Sequence, residues 1–330
     1  MSSSKFHFRV SEQVWPLDKP FRIARGTRTE ARVIVVDAND GEHAGHAEAV
    51  PSKRYGETIE STIGQLEQIF SKGEKFDRQQ LQRLLPAGAA RNALDCALWD
   101  VEAKVSGKRA WELANIQIAN AVETAFTISL DTPEIMAAAA KANANAPILK
   151  LKLGGDNLDL PRIEAVRQEA PAARLIVDAN ESWSPSHYRN IVSALPRLGV
   201  ELIEQPFPAD ADDVLETLDH PVPVCADESC HTTADLPRLV NRYEVINVKL
   251  DKTGGLTEAL RLTESARENG FKILIGCMAC TSLGIAPARL LASSADYIDL
   301  DGPLLLAGDR HHPLSYEAGK VGLPSRELWG

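Results

Sequence analysis

Long apolar runs are missing from this sequence, although 44% of its 330 residues are hydrophobic. A membrane-spanning helix needs about 20 consecutive apolar residues, so none is expected here. The first residues, Met1–Phe8, also lack the apolar run of a secretory signal. We therefore predict a globular protein that stays in the cytosol and does not act at a membrane.

Positive charge is scarce as well, with 36 lysines and arginines against 46 aspartates and glutamates and a formal net charge of -10. Neither a basic run nor a basic stripe with interleaved aromatic residues occurs, which argues against nucleic-acid binding. Any anionic ligand must therefore be met by cations placed locally in the fold.

Cysteines are few, and in the cytosol they should be reduced. Cys277 and Cys280 form a C-x-x-C, and a zinc site could be drawn from these two with Cys225, Cys230 and His231. The step from Cys225 to Cys230 is wider than most zinc knuckles use. We favour small buried residues beside a cleft.

One octapeptide, Ile148–Gly155, combines alternating lysines with aliphatic residues and ends in two glycines. In a strand, Lys150 and Lys152 would share one face, while the leucines between and after them would share the other. Burying two unpaired ammonium groups is costly, so something anionic should lie opposite them. An amphipathic edge strand with a solvated lysine face is the alternative.

The N-terminal part shows an antiparallel meander followed by helices. Its three β-rich runs are Phe6–Trp15, Arg32–Asp37 and Ala44–Val50. Asn39–Gly41 is a hairpin signal between the last two. Lys19–Arg28, a loop between the first two strands, and Pro51–Gly56, after the third strand, are candidate lids over an anion.

A helical pattern runs from Glu57 to about Leu113, with Leu94, Leu98 and Val101 spaced to form one buried face. A meander followed by helices is typical of an α+β domain.

After about residue 120 the sequence changes to eight short apolar runs, each followed by a polar stretch of helical length. The runs are Thr124–Leu130, Ile148–Lys152, Leu175–Asp178, Val200–Glu204, Val222–Asp227, Val245–Lys249, Lys272–Gly276 and Tyr297–Asp301. Their spacing of roughly 22 to 28 residues predicts an α/β fold, a modified TIM barrel of the (β/α)7β kind. We expect an α+β capping domain at 1–120, a barrel at 121–302, and a tail at 303–330 that returns to the cap.

Charged residues end strand after strand, at the positions that line the mouth of such a barrel. Asp178, Glu204 and Asp227 close three successive strands, while Lys150 and Lys152 precede them and Lys249 follows. Three converging carboxylates are the ligand set of a hard cation such as Mg²⁺. One such carboxylate could be a helix N-cap, but three in succession favour a metal site.

This series resembles the active site of the enolase superfamily, muconate-lactonising subgroup. Within the subgroup, three segments resemble the dipeptide epimerases that act on L-Ala-D/L-Glu: residues 226–231, residues 249–260 and residues 299–303. The superfamily is known for a lysine or histidine base working with Mg²⁺. The resemblance implies one Mg²⁺ per site and an isomerase that inverts the α-carbon of the second residue of a dipeptide.

The same resemblance implies roles for individual residues. Lys152 and Lys249 would be the two bases, one on each face of the substrate carbon, and Lys150 would assist at the substrate carboxylate. Substrate-binding residues would be Asp299 and Asp301 at the α-ammonium, Arg25 at the side-chain carboxylate, and Thr127 and Cys277 in the wall. Arg22 and Arg28 are alternatives to Arg25, and Lys252 is expected at the surface.

The function expected from this sequence is therefore an epimerase of small dipeptides, L-Ala-L-Glu and L-Ala-D-Glu, in the metabolism of murein peptides. Other reactions of the subgroup remain alternatives, namely N-acylamino-acid racemisation, o-succinylbenzoate synthesis and cycloisomerisation. None of them obviously needs an ammonium-binding pair such as Asp299 and Asp301. A metal-binding scaffold without activity is a further alternative. The oligomeric state stays open, a homo-oligomer included.

Overall fold

The structure is a computed structural model that describes residues 7–73 and 75–330. Phe6, where the first predicted strand begins, lies outside the described residues. Three antiparallel strands, β1 (His7–Ile23), β2 (Gly26–Asn39) and β3 (Ala44–Ala49), form a sheet in that order. The meander and its turn after Asn39 are confirmed.

The segment Lys19–Arg28, interpreted from the sequence as a loop, is instead the far end of the β1–β2 hairpin. Phe21 pairs with Arg28 and Ile23 pairs with Gly26, after a register shift that follows Pro16. Gly26 has a φ of 146°, a conformation that glycine adopts easily, and this permits the tight reversal. The hairpin tip therefore reaches out from the sheet as a paired, stiff element.

Four helices follow in the N-terminal part, as the pattern predicts. They are α1 (Ile59–Ser71), α2 (Arg78–Leu84), α3 (Ala89–Ser106) and α4 (Ala110–Leu113). Helix α3 is buried along nearly its whole length, and the predicted face of Leu94, Leu98 and Val101 lies in the core. Its many small residues let the sheet and the barrel approach it from both sides.

A short strand β4 (Val122–Glu123) leads into an eight-stranded parallel sheet that curls into a barrel. Its strands are β5 (Ala125–Ile128), β6 (Ile148–Lys152), β7 (Arg174–Asp178), β8 (Val200–Glu204), β9 (Val224–Ala226), β10 (Val245–Val248), β11 (Lys272–Gly276) and β12 (Tyr297–Asp299). The outer helices are α5 (Pro133–Ala142), α6 (Asp159–Glu169), α7 (Pro185–Ile191), α8 (Leu236–Leu239), α9 (Leu250–Thr253), α10 (Leu256–Glu268) and α11 (Ser282–Ala288). The predicted fold class is confirmed.

The floor of the barrel is a small apolar layer with one residue from each strand. Its members are Ala125, Ile148, Ile176, Leu202, Cys225, Val245, Leu274 and Tyr297. Strands β12 and β5 are the two ends of the eight-stranded order, and hydrogen bonds to side chains join them. Thr124 Oγ1 accepts from Leu300 N at 2.8 Å, and Asp301 Oδ2 accepts from Thr127 N at 2.6 Å. Because this apolar layer fills the barrel beneath them, the polar residues above it lie at one mouth of the barrel.

The C-terminal tail runs back over the N-terminal helices. Its strand β14 (Lys320–Val321) pairs with β4 on one side and with β13 (Tyr316–Glu317) on the other. Trp329 Nε1 donates to Cys96 O at 3.0 Å, and Asp100 Oδ1 accepts from Gly330 N at 2.7 Å. The boundaries at 120 and 302 stay predictions. None of the helices in the described part of the chain has the length and apolar content needed to span a bilayer.

Candidate active site

The carboxyl ends of β6, β7 and β8 lie level with one another. Lys152 pairs with Asp178 across the first two strands, and Asp178 pairs with Glu204 across the next two. Asp227 follows the end of β9, the next strand in the sheet. The three carboxylates are 0%, 0% and 2% exposed, so they form one buried row at the barrel mouth.

Both lysines of β6 point into this row. Lys150 Nζ lies 2.7 Å from Glu204, 2.7 Å from Asp299 and 3.2 Å from Asp178. Lys152 Nζ donates to Asp178 Oδ2 at 2.5 Å. The leucines of the other face lie in the core between sheet and helices. The edge-strand alternative is therefore wrong, because β6 is a central strand and its lysine face is buried against carboxylates.

Lys249 reaches the row from the opposite side of the barrel. It directly follows β10, four strands along the eight-stranded order from β6, which is half of the circumference. Lys249 Nζ donates to Asp227 Oδ2 at 2.6 Å and lies 3.8 Å from Glu204 Oε1. Lys152 and Lys249 therefore approach the carboxylate row from two sides.

Electrostatics distinguish the middle carboxylate of the row from its neighbours. Burial raises the pKa of Asp178, but the charges of Lys152 and Lys150 outweigh it and leave the pKa well below its usual range. Burial and the charge of Asp178 raise the pKa of Glu204, and the nearby lysines do not fully offset this. The negative charge of Glu204, the middle carboxylate of the row, is thus not fully compensated by the nearby lysines.

Lys252 is buried, and the prediction that it lies at the surface is wrong. Its Nζ donates to the backbone oxygens of Cys230 and Asn247 and to Asp227 O, and it lies 2.7 Å from Asp227 Oδ1. The turn of α9 directs it back under the mouth, where it holds the loop after β9. Periodicity along a strand could not show this, because Lys252 belongs to a helical turn.

Asp299 and Asp301 are both buried, at 4% and 3% exposure, beside Thr127. Asp301 Oδ2 accepts from Thr127 N at 2.6 Å, and Thr127 Oγ1 donates to Asp299 Oδ1 at 3.5 Å. Lys150 neutralises Asp299, whereas burial and the charge of Asp299 raise the pKa of Asp301 to about 7. Asp301 is the carboxyl of this pair that contacts no cation within ion-pair distance among the described residues.

The arginines of the hairpin tip have different surroundings. Arg25 Nη2 donates to Glu228 at 2.7 Å, and its Nη1 lies 3.0 Å from Glu181. Arg22 is exposed and 3.7 Å from Asp131. Arg28 is exposed, yet the protein atoms around it and the charge of Arg25 lower its pKa, and among the described residues it forms no ion pair.

The second predicted lid, Pro51–Gly56, also reaches the mouth of the barrel. Arg54 donates two hydrogen bonds of 2.6 Å to the carboxylate of Glu181. Tyr55 packs edge-on against His231, with 4.5 Å between the ring centroids. Both lid segments of the cap are therefore tied to loops that follow β7 and β9.

All five cysteines are free thiols, of which Cys277 is half-buried and the other four are buried. In residues 7–73 and 75–330 no group of three or more histidine, cysteine or acidic side chains converges as metal ligands do. Neither the cysteines nor the carboxylate row forms such a group among these residues, and the carboxylates of the row turn towards lysines.

Several polar residues of the site were missed from the sequence. Asn247 Nδ2 donates to Glu204 Oε1 at 2.8 Å, and Gln205 Oε1 accepts from the backbone N–H groups of Asp227 and Ser229. Alternation could have found Asn247, since it lies two residues before Lys249 within the apolar run Val245–Lys249. Gln205 has a φ of 36°, and no pattern in the sequence predicted that this residue belongs to the site.

The oxygen donors of the row, although turned towards lysines, are of the kind that a hard divalent cation prefers. Glu204 Oε2 and Asp227 Oδ1 are buried and accept no hydrogen bond of good geometry, although an ammonium nitrogen lies 2.7 Å from each. Carboxylate oxygens are the ligands that Mg²⁺ prefers. A bound cation would also oppose the burial and the charge of Asp178 that together raise the pKa of Glu204.

Comparison with known families agrees with this geometry. The family described as "Mandelate racemase / muconate lactonizing enzyme, N-terminal domain" matches residues 5–114, and "Enolase C-terminal domain-like" matches residues 134–327. The chain belongs to the mandelate racemase and muconate lactonizing enzyme family of the enolase superfamily.

Two relatives have the same level of identity. The chain is 46% identical to the L-Ala-D/L-Glu epimerase of Escherichia coli (strain K12) over 96% of this chain and 99% of that one. It is also 46% identical to an N-acetyl-D-glutamate racemase of a Pseudoalteromonas species, over 90% of this chain and 95% of that one. The predicted superfamily and the enzyme class, an isomerase of the epimerase kind, are confirmed.

Solved structures add ligands to the comparison. An enolase family member from Agrobacterium tumefaciens, described as homologous to dipeptide epimerases and holding sodium and L-Ala-L-Glu, has a TM-score of 0.96 and 48% identity, over 98% of this chain and all of that one. A dipeptide epimerase from Enterococcus faecalis V583 holds Mg and L-Leu-L-Tyr, with a TM-score of 0.88 and 29% identity, over 97% and 96% of the two chains.

Proposed function

We propose that this epimerase interconverts L-Ala-L-Glu and L-Ala-D-Glu by moving a proton at the α-carbon of the second residue. The cytosolic metabolism of murein peptides is the setting that this substrate suggests. The observation that carries the proposal is the pair of lysines, Lys152 and Lys249, on opposite sides of a buried carboxylate row. Inverting a carbon centre needs one base on each face.

In the proposed mechanism one lysine acts in its neutral form and takes the α-proton, and the bond electrons pass into the substrate carboxylate. The other lysine, as an ammonium, then returns a proton to the opposite face, which inverts the centre. For the other stereoisomer the two roles are exchanged. Lys150, within 3.2 Å of two carboxylates of the row, is proposed to stabilise the negative charge that develops on the substrate carboxylate.

Asp178, Glu204 and Asp227 are proposed to hold one Mg²⁺, which would supply positive charge beside the substrate carboxylate. Support comes from their complete burial on neighbouring strands and from the raised pKa of Glu204. Relatives that hold Mg support the choice of metal. We likewise propose residues 1–120 with the tail 303–330 as the cap, and residues 121–302 as the catalytic barrel.

The substrate's ammonium is proposed to meet Asp301 and Asp299, beside Thr127, with Cys277 in the wall. Asp299 and Asp301 are both buried, and among the described residues the ion pair of this pair of carboxyl groups is that of Asp299 with Lys150. The carboxyl group of Asp301 therefore leaves one negative charge available for a cation. For the side-chain carboxylate of glutamate, Arg25 is proposed, with Arg28 as its neighbour that forms no ion pair among the described residues. Arg22, paired with Asp131 at the surface, has less support.

Racemisation of N-acetylglutamate is the second candidate, because one relative with this activity is as similar as the dipeptide epimerase. N-Acetylglutamate keeps the reacting carbon and both carboxylates but has no ammonium group. An ammonium site would have no partner in this substrate, and the buried carboxyl group of Asp301 would then remain unused.

The test follows the α-proton of glutamate by NMR in deuterated water, with purified protein and Mg²⁺. L-Ala-L-Glu should exchange its proton and form the L,D isomer, at a higher kcat/KM than N-acetyl-L-glutamate. Lys152→Ala and Lys249→Ala should each abolish inversion. Faster turnover of N-acetyl-L-glutamate would establish the racemase instead, and inversion by either lysine variant would contradict the two-base mechanism.

A further inference from the structure

We propose that Asp251 is a positioning residue through which the capping domain holds Lys249, so that this contact governs proton transfer on the face of the substrate carbon that Lys249 serves. The inference rests on the proposed two-base function and goes beyond it, because it assigns different mechanical supports to the two bases.

Asp251 lies two residues after Lys249, in the first turn of α9, and is 8% exposed. Its Oδ1 accepts two hydrogen bonds, both from the cap: Val50 N at 2.8 Å and Asn92 Nδ2 at 2.9 Å. Val50 follows strand β3, and Asn92 belongs to helix α3. One buried carboxyl group thus joins the segment that carries Lys249 to two elements of the other part of the chain.

The rest of α3 binds the same segment further along. Arg91 donates to Thr253 O at 2.6 Å and to Gly254 O at 3.1 Å. Asp95 Oδ2 accepts from Thr257 N at 2.9 Å. At Gly254 a Cβ atom would lie 2.4 Å from Arg91 Nε, so the helix sits directly on the backbone of the turn. The segment after Lys249 is therefore held by the cap along its whole length.

The turn after Lys152 is held from within the barrel, and the cap meets Lys152 only at its ammonium group, which lies 6.0 Å from the centroid of the Phe21 ring among the described residues. Asp159, 0% exposed in α6, accepts from Gly154 N and Gly155 N, both at 2.9 Å. The same carboxyl group accepts from Trp183 Nε1 at 3.0 Å, in the loop after β7. A buried carboxyl group thus fixes the turn after each lysine, Asp159 after Lys152 and Asp251 after Lys249. Of these two carboxyl groups, Asp251 is the one that is bonded to the cap.

This difference has a kinetic consequence. A displacement of about 1 Å at a reacting group can cost about a hundredfold in rate. Loosening the cap contact should displace Lys249 and leave Lys152 in place. Net inversion needs both lysines. Because the equilibrium constant fixes the ratio of kcat/KM for the two directions, the rates of inversion in both directions must fall together. Exchange of the α-proton with solvent needs only one lysine, so it can report each face separately.

The experiment measures exchange without inversion for L-Ala-L-Glu and L-Ala-D-Glu in deuterated water, with Mg²⁺ and full-length protein. Lys152→Ala identifies the isomer whose proton faces Lys249. In Asp251→Ala the exchange of that isomer should fall about tenfold or more relative to the other isomer. Asp251→Asn should restore the ratio, because an amide oxygen still accepts both hydrogen bonds.

A matched pair of variants serves as control, and each removes one N–H donor to a buried carboxyl group. Asn92→Ala removes a donor to Asp251 and should shift the ratio in the same direction as Asp251→Ala. Trp183→Phe removes a donor to Asp159 and should not lower exchange on the Lys249 side. Thermal melting and circular dichroism verify folding, and Asn92→Ala serves alone if Asp251→Ala does not fold.

Equal loss for both isomers in the folded anchor variants, or the same shift in Trp183→Phe, would overturn the inference. If Lys152→Ala itself exchanges both isomers equally, the two-base function fails instead of the anchoring role. The two failures are therefore distinguishable in one series of measurements.

Discussion

Asp301→Asn should separate the dipeptide epimerase from the N-acylamino-acid racemase. The variant keeps the size of the side chain and an oxygen that can accept from Thr127 N, so folding should be retained. What it removes is the carboxyl charge that Lys150 leaves unneutralised, since that lysine contacts Asp299. The substrate's ammonium would then lose the one carboxylate of the pair that forms no ion pair with a lysine or arginine among the described residues.

The size of the effect follows from burial. Asp301 is 3% exposed, so a charge pair formed there is desolvated. Removing one partner of such a pair costs about 2 to 5 kcal/mol. Asp299 remains nearby, so we expect the low end, and about 2 kcal/mol is a loss of about 30-fold in kcat/KM for L-Ala-L-Glu.

The assay compares L-Ala-L-Glu with N-propionyl-L-glutamate, which is the same molecule without its ammonium group. Wild-type enzyme should prefer the dipeptide, and Asp301→Asn should lose that preference while its rate with N-propionyl-L-glutamate changes little. Burial and Asp299 raise the pKa of Asp301 to about 7, so the wild-type preference should weaken as the pH falls below about 7 and Asp301 becomes protonated. Equal losses on both substrates would refute the ammonium site.

Further predictions concern the metal, the buried lysine, the arginines and stability. Asp178→Asn should abolish activity and weaken Mg²⁺ binding measured by calorimetry; full activity in excess chelator would contradict a metal role. Lys252→Met should lower the free energy of unfolding by about 3 kcal/mol, because three buried carbonyl oxygens and Asp227 Oδ1 lose their donor, while Lys249 still pairs with Asp227 Oδ2; an unchanged denaturation midpoint would oppose this. Arg25→Ala and Arg28→Ala should each reduce the preference for glutamate over leucine at the second position, measured by competition; if neither does, both assignments fail. Burial raises the pKa of Asp251 from 3.8 to about 7, so the native state holds a proton that the unfolded state releases, and stability falls as the pH rises through this window. Asp251→Asn should therefore be more stable relative to wild type at pH 8 than at pH 5, by up to about 3 kcal/mol, in urea titrations at both pH values.

The residues that sequence reasoning placed well are those on strands. Strand side chains alternate, and parallel strands end at one edge, so Lys152, Asp178 and Glu204 had to share the mouth once eight repeats were recognised. Lys252 was misplaced because it lies in a helical turn whose direction depends on tertiary packing. The hairpin at Lys19–Arg28 was missed because its pairing continues past a proline and an irregular register, which local patterns do not reveal.

The charges at the mouth also explain why the cap and the barrel act as one unit. Glu228 is 4% exposed, and burial with the charge of Asp227 raises its pKa to about 7. Its cationic hydrogen-bond donor is Arg25 of the cap, and Glu181 similarly depends on Arg25 and Arg54. With the cap in place, a buried carboxylate at the mouth that lost its arginine partner would cost several kcal/mol. The cap arginines are therefore part of the electrostatic balance of the barrel, so a change of substrate specificity at Arg25 must also supply a new partner for Glu228.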